Sequence, residues 1–250
     1  IILAVGGSAT VDGGTGMLKA LGVRFLNGAE NEITELPAGL IELKSIDITK
    51  LNPRLKECEI IILCDVSNTL LGNNGAAFIF GPQKGAGKKD VALLEKYMQR
   101  FNQVTKKSVG INMSSIIFGG AAGGIAAGLA AFANAKLVSG IEYYLDAVHF
   151  DNALDLADMV ITAEGSLDEQ TLEGKGPFGV AARAKKKNVP VIALAGQIPL
   201  KIGKKMHDYF EGIFSINHTP SSVEDAIKNT SANLTRTSCE LCNLLALYQK

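Results

Sequence analysis

The segment 164–176 carries carboxylates, hydroxyl groups and a lysine, directly after an apolar strand-like run and just before a predicted helix. Carboxylates can bind Mg²⁺ or accept a proton, while a cation and backbone N–H groups at a helix start can bind phosphate. A loop with a purely structural role seldom needs all of these groups together, so the segment predicts phosphoryl-transfer chemistry. The candidate residues are Glu164, Ser166, Asp168, Thr171 and Lys175.

A loop of small residues follows the apolar run Ile1–Val5 and leads into a segment that we predict to be helical. Its glycines let the backbone approach a ligand closely, and free N–H groups before a helix suit an anion such as phosphate. The spacing does not match G-x-G-x-x-G, so a dinucleotide fingerprint is not supported. A tight turn without a ligand is the alternative interpretation. The candidate binding residues are Gly7, Ser8, Thr10 and Asp12.

A carboxylate and an amide follow the second strand-like run, Ile60–Leu63: these are Asp65 and Asn68. Ligands of parallel α/β sheets bind at the carboxyl ends of the strands, which makes Asp65 a candidate Mg²⁺ ligand or general base. The alternative interpretation is that Asp65 and Asn68 only organise a turn.

Two further glycine-rich runs are weaker signals. The run 81–89 resembles a P-loop, but Ala86 stands where that motif needs glycine and Lys89 where it needs serine or threonine, so we reject a Walker A site. Both a basic loop near phosphates and a solvated loop remain as interpretations of it. The run 118–128 predicts a phosphate or substrate loop through Gly120 and Gly123, against the alternative of close backbone packing at a helix start.

The elements that must position these groups follow a regular order in the C-terminal part of the chain. A β-α-β-α-β-α order predicts a parallel sheet with helices on both faces, the C-terminal part of a Rossmann-like lobe in three layers. The preceding part is rich in glycine and less regular, so we expect two α/β lobes, residues 1–150 and 151–250. Predicted strands are 159–163, 190–194 and 212–216; predicted helices are 177–187, one around 201–209, and a long one that opens with the capping box Ser221–Glu224.

Composition excludes several classes of protein. The 250 residues hold 25 Lys+Arg and 25 Asp+Glu, so the chain has no basic excess with which to bind nucleic acid. No apolar run reaches the roughly 18 residues of a membrane span, and no secretory signal is recognisable, which favours a cytoplasmic protein without membrane contact.

Cys239 and Cys242 form a single C-x-x-C, which we interpret as free thiols on a helix rather than a metal site.

Taken in order, these motifs resemble those of the glycerate kinase family, the bacterial type I group. The similarity covers essentially the whole chain, and several long motifs in the family's order are far more specific than any one glycine-rich loop. The residues that carry the resemblance are Gly6–Thr10 with Asp12-Gly13-Gly14-x-Gly16, Cys64–Val66 with Asn68-x-Leu70-x-Gly72-x-x-Gly75-Ala76, Phe80–Ala86, Gly119-Gly120-Ala121-x-Gly123-Gly124, and Glu164–Ser166 with Asp168-x-Gln170-Thr171-x-x-Gly174-Lys175.

The resemblance implies MgATP-dependent phosphorylation of a hydroxyl group of D-glycerate, in a cleft between two α/β domains. It implies Asp65 and Asp168 as metal ligands or general base with Glu164 in support, and Ser8, Thr10 and Lys175 as groups that hold phosphate or the substrate carboxylate. Val11 and Ala163 stand where the family usually has asparagine and glycine. Family members also begin with a further N-terminal segment, and we expect this sequence to be incomplete or truncated there.

Two alternatives to a glycerate kinase stay open at this point. One is a non-catalytic binding or regulatory domain for a small phosphorylated acid, and the other is a kinase for another small hydroxy acid. The sequence does not decide between the 2- and the 3-hydroxyl of glycerate, and a homo-oligomer is compatible with it.

Overall fold

The structure is a computed structural model that describes residues 1–168 and 176–247. The chain divides into two compact units, Ile1–Tyr143 and Tyr144–Lys250, and each has its own parallel sheet. This architecture confirms the predicted α/β class, with a parallel sheet in the C-terminal unit. In the described part of the chain, no helix is long and apolar enough to cross a membrane.

The first unit is built on a parallel sheet in the order β1-β4-β5, with an antiparallel pair, β2-β3, beside it. The chain then passes through helix α5 into the second unit. The elements of the first unit, in chain order, are β1 (Ile2–Ala4), α1 (Thr15–Ala20), β2 (Arg24–Leu26), β3 (Ser45–Asp47), β4 (Ile61–Cys64), α2 (Ala76–Phe80), α3 (Lys88–Val109), α4 (Ile125–Ala133), β5 (Lys136–Ser139) and α5 (Gly140–Ala147).

The register of this sheet places three loops at one edge. Ala4 of β1 lies opposite Leu63 of β4, and Cys64 lies opposite Ser139 of β5. Because all three strands are parallel, the residues that follow them come together at the carboxyl edge of the sheet. Asp65, the loop after β1 and Gly140 therefore begin from neighbouring strand ends.

Aromatic side chains fasten the long helix α3 to the rest of the first unit. Phe101 contacts Phe25 of β2 edge-on at 5.7 Å and stacks on Phe132 of α4 at 6.1 Å between ring centroids. Phe25 and Phe101 are fully buried. The strands β2 and β3 were not predicted from the sequence, because each has three residues and carries no alternation long enough to recognise.

The second unit contains the parallel sheet β6-β7-β8. Five residues of the central strand, 191–195, are buried, as expected for a strand with neighbours on both sides and helices on both faces. The elements of this unit after α5 are α6 (Phe150–Leu154), β6 (Val160–Ser166), α7 (Gly176–Lys186), β7 (Val191–Gln197), α8 (Lys204–His207), β8 (Gly212–Ser215), α9 (Val223–Lys228) and α10 (Thr230–Ala246).

Separate apolar clusters cover the two faces of this sheet, which confirms the predicted three layers. On one face Ala181 of α7 and Met206 of α8 pack with alternate residues of β7. On the other face Leu241 of α10 packs with Ile192 and Leu194. The alternation follows from the period of two along a strand.

The C-terminal helical region differs from its prediction in two ways. Ser222, not Ser221, is the N-cap, and its hydroxyl accepts a hydrogen bond from the N–H of Asp225 at 3.1 Å. The expected single helix is interrupted at Asn229, so that α9 and α10 are separate. Adjacent serines with acidic residues three positions after each of them offer two cap registers, and only the fold selects one.

Candidate active site

A small cavity of about 190 Å³ lies at the carboxyl ends of β1 and β4 in the first unit. Of the candidate residues predicted from the sequence, Gly7, Ser8 and Asp65 contribute to its wall. The lining residues are Val5, Gly6, Gly7, Ser8, Leu63, Asp65, Val66, Phe80, Gln83, Lys84, Ala121 and Ala122.

A lysine from a distant part of the chain fixes the loop that follows β1. The ammonium of Lys84 donates to the hydroxyl oxygen of Ser8 at 2.8 Å and to the carbonyl oxygen of Thr10 at 2.7 Å. Two predicted binding residues are thus brought to one cation. Gly7 precedes them in the left-handed region, at φ 74°, where glycine alone is unstrained.

Asp65 is the exposed carboxylate at the end of β4. Gly140, the residue that follows β5 and begins α5, lies beside it: a Cβ built on that glycine would lie 2.5 Å from Asp65 Oδ1. Glycine at this position therefore leaves the space that the carboxylate occupies.

The thiol of Cys64, the residue before Asp65, stays protonated at neutral pH. Burial, and to a smaller extent the charge of Asp65, raises its pKa to about 11, so Cys64 is no nucleophile.

Asp12 and Asn68 both hold backbone in place. The Asp12 carboxylate accepts N–H groups from Gly14 at 3.0 Å and Gly16 at 3.1 Å, at the start of α1. The Asn68 amide donates to the carbonyl oxygen of Asn74 at 2.8 Å. The turn-forming interpretation is therefore seen for both side chains, and a role in ligand binding stays a prediction for them.

The glycine-rich run 118–128 packs tightly against the site loops. A Cβ on Gly120 would lie 2.3 Å from the carbonyl oxygen of Thr69, and one on Gly123 would lie 2.0 Å from that of Thr10. Gly13 also donates its N–H to the Gly123 carbonyl oxygen at 3.0 Å. Close backbone packing thus accounts for these glycines, and phosphate binding by Gly120 or Gly123 stays a prediction. Ala122, which lines the cavity, has a strained φ of 55°.

A larger cavity of about 710 Å³ lies in the second unit, at the carboxyl ends of β6, β7 and β8. Apolar side chains of the sheet and of α9 and α10 form much of its wall, with Glu164, Gln197 and Asn217 as polar groups. Asn217 is held firmly, since its amide donates to the Gly196 carbonyl oxygen at 2.7 Å and accepts from Asn233 at 3.0 Å. The apolar lining includes Leu194, Ile216, Ala226, Ile227 and Leu234.

Of the other candidate residues in the segment 164–176, two lie in the described part of the chain and two do not. Ser166 is the last residue of β6 and pairs with Gln197, and Asp168 follows it, half-buried, two residues beyond the strand. Thr171 and Lys175 lie outside the described residues.

The structure contains no group of three or more His, Cys, Asp or Glu side chains arranged to hold a metal, within residues 1–168 and 176–247. Asp65 in the first unit and Glu164 and Asp168 in the second offer carboxylate oxygens. Cys239 and Cys242 are exposed free thiols on α10, as interpreted from the sequence.

The contacts described above also involve Lys84, Gly140 and Asn217, which were not among the candidate site residues predicted from the sequence. Nothing in the sequence around Gly140 indicates a position near Asp65, because only the register of β4 and β5 shows that the two residues are neighbours. Asn217 follows a predicted strand, which is the signal that singled out Asp65 and could have been applied to it. Lys84 stands in the basic loop that failed the P-loop test.

Comparisons with known proteins agree with this arrangement of motifs. A sequence model of the glycerate kinase family matches residues 1–246. The chain is 39% identical to a glycerate 2-kinase of Escherichia coli K12, over 99% of this chain and 65% of that protein. It is 41% identical to a glycerate kinase of Bacillus cereus, over 95% of this chain and 62% of that one.

A solved structure gives the same result. A crystal structure from Salmonella typhimurium LT2, described as a glycerate kinase 2, superposes with a TM-score of 0.78 at 41% identity and covers 99% of this chain. The chain spans about 65% of the length of that protein and of the E. coli relative. With a family match through both units, the chain belongs to the glycerate kinase family.

Proposed function

We propose that the protein is an ATP-dependent kinase that phosphorylates a hydroxyl group of D-glycerate. The observation that carries the proposal is the family match across residues 1–246, which includes the residues around both cavities. The name of the E. coli relative, a glycerate 2-kinase, favours the 2-hydroxyl as the acceptor. We place the reaction in the cytoplasm, where ATP is available.

Asp65 is the group that we assign as general base. In the proposed reaction its carboxylate accepts the proton of the substrate hydroxyl, whose oxygen forms a bond to the γ-phosphorus of ATP. The bond from that phosphorus to the β-γ bridging oxygen breaks, and ADP leaves with the electron pair. The exposed position of Asp65 on the cavity wall, next to the Ser8 loop, supports this assignment.

The larger cavity suits the nucleoside of ATP. Its volume of about 710 Å³ lies within the roughly 300–1,000 Å³ of small-molecule sites, and its apolar walls with a few amide groups are typical of them. We therefore propose that Leu194, Ile216 and Ala226 contact the base and ribose. Ser166, at the end of β6, and Thr171 and Lys175, in the segment that follows it, are proposed to bind the phosphate end.

Mg²⁺ fits the donors that these residues offer. The ion prefers oxygen ligands and is commonly held by one or two carboxylates together with nucleotide phosphates. Glu164 and Asp168, at and just after the end of β6, are the carboxylates proposed for it. When bound, it would neutralise charge on the transferred phosphoryl group.

The test is to mix the full-length native protein with MgATP and D-glycerate and to follow the products by phosphorus NMR. We expect a new phosphomonoester signal with the chemical shift and proton coupling of 2-phosphoglycerate. The 3-isomer would confirm the kinase and correct the acceptor. Tight binding of D-glycerate or a phosphoglycerate without any phosphoryl transfer would contradict the proposal and favour a binding domain.

The nucleotide site gives a separate prediction. Ala226→Phe places a large side chain in the wall of the larger cavity, and overpacking of this kind should raise KM for ATP about tenfold. KM for D-glycerate should stay near its wild-type value in steady-state assays that vary each substrate in turn. Lys228→Phe, on the same helix but outside the cavity wall, is the control. An unchanged KM for ATP in Ala226→Phe would remove this cavity from nucleotide binding.

A further inference from the structure

Lys84 is a charged residue on the wall of the small cavity, and it has no role in the reaction as proposed above. It stands in the short turn after α2, yet its ammonium contacts the loop after β1, 76 residues earlier in the chain at Ser8. It lines the cavity together with Ser8 and Asp65. The fold therefore brings a cation to the edge of the sheet where Asp65 lies.

The partners of this ammonium are neutral. It donates to a hydroxyl and to a carbonyl oxygen, and no carboxylate of the described residues forms an ion pair with it within 4.0 Å. A lysine ammonium has three N–H donors, so two protein contacts leave one for a ligand. Burial lowers the pKa of Lys84, against the opposing effect of the Asp12 charge. A partly desolvated cation with no carboxylate in direct contact favours an incoming anion.

The other charge on the cavity wall restricts what that anion can be. A carboxylate, Asp65, lines the same cavity of about 190 Å³, which is below the usual range for drug-sized ligands. A phosphate dianion would be repelled by Asp65. A small hydroxy acid offers one anionic end for the lysine and a hydroxyl group that can donate to the carboxylate. The two charges thus match the two ends of such a molecule.

We propose that Lys84 binds the carboxylate of the hydroxy-acid substrate and so turns its hydroxyl group toward Asp65. The proposal rests on the proposed function for the identity of the acid. It makes Lys84 the residue that distinguishes a hydroxy acid from an uncharged polyol, while Ser8 and Thr10 hold the ammonium in place.

The experiment is isothermal titration calorimetry of the full-length native protein with D-glycerate, with D-glyceramide, in which an amide replaces the carboxylate, and with ADP. Lys84→Met removes the charge at similar length, and Lys84→Arg keeps it. Lys89→Met, an exposed lysine at the start of α3, is the matched control for loss of one charge. Thermal unfolding checks that each variant is folded, and Lys84→Gln, which retains a donor, replaces Lys84→Met if the latter is not.

We expect Lys84→Met to weaken D-glycerate binding about 10- to 100-fold, since a hydrogen bond to a charged group is lost. ADP and D-glyceramide should bind with little change, Lys84→Arg should recover much of the glycerate affinity, and Lys89→Met should behave as wild type. Unchanged D-glycerate binding in Lys84→Met would overturn the proposal. A loss confined to ADP would assign Lys84 to nucleotide phosphate instead, and equal losses of glycerate and glyceramide would show a structural role.

The titration separates this inference from the kinase assignment, because binding needs no turnover. A wild-type protein that binds D-glycerate through Lys84 but forms no phosphoglycerate would contradict the kinase alone. Product formation with Lys84-independent glycerate binding would contradict the role of Lys84 alone. A wild-type protein that binds no D-glycerate would contradict both.

Discussion

Asp65→Asn is expected to lower kcat for D-glycerate about 1,000-fold, the middle of the range for loss of a general base. Asparagine has the shape of aspartate, so the close approach to Gly140 should survive, but it cannot accept the hydroxyl proton. The measurement is the steady-state rate of ADP release at saturating MgATP and D-glycerate. Asp158→Asn, an exposed position in the second unit, is the control for the same chemical change.

The substitution Asp168→Asn, compared with Asp65→Asn, shows which of the two carboxylates is the general base and which binds the metal, a question that the sequence left open. Loss of the base lowers kcat at every Mg²⁺ concentration, whereas loss of a metal ligand raises the Mg²⁺ concentration needed for half-maximal rate. Turnover near the wild-type rate in Asp65→Asn, with normal folding, would remove Asp65 from proton transfer.

The strand ends were the part of the site that the sequence could predict. Ile60–Leu63 is recognisable because four apolar residues precede a polar turn, and the structure has β4 there, at Ile61–Cys64. A parallel sheet then dictates that Asp65 and the loop with Ser8 share an edge, and the structure places both on one cavity. The local apolar pattern and the topology of a parallel sheet were enough to predict that Asp65 and the Ser8 loop lie at one edge.

Contacts between distant segments could not be predicted in this way. The hydrogen bond between Lys84 and Ser8 depends on the path of α2 across the unit, and no local pattern records that path. The same holds for Gly140, which matters only because its missing Cβ leaves room for Asp65. From the sequence, Lys84 belonged to a rejected P-loop and to the family motif Phe80–Ala86, with no role assigned to it; the fold places it on the wall of a cavity.

Glycine-rich runs were ambiguous for a physical reason. A glycine is needed both where a backbone approaches a ligand and where it approaches another backbone, and the two demands look the same in sequence. The structure resolves Gly120 and Gly123 toward backbone packing, since the atoms they face belong to Thr69 and Thr10. A ligand role for such residues would have to act through the loops that they support.

Gly123→Ala should therefore act on stability first. The residue has φ 68°, and an added Cβ would lie 2.0 Å from the Thr10 carbonyl oxygen and 2.8 Å from Val11 Cα. A left-handed alanine costs about 1–2 kcal/mol, and the backbone overlap adds about 1–3 kcal/mol, so we expect the free energy of unfolding of the first unit to fall by about 3 kcal/mol. Urea unfolding measures this loss, and hydrogen exchange shows where it falls.

The location of the loss is the informative part of that experiment. Gly123 packs on the loop whose Thr10 carbonyl oxygen accepts from Lys84, so exchange should accelerate in residues 6–16 and 118–128, while the β6-β7-β8 sheet stays protected. Gly28→Ala is the control, because no atom lies within 4 Å of the added Cβ and φ is outside the left-handed region. Wild-type stability in Gly123→Ala would mean that the loop can shift to accept a side chain, and would contradict close backbone packing as the reason for glycine at this position.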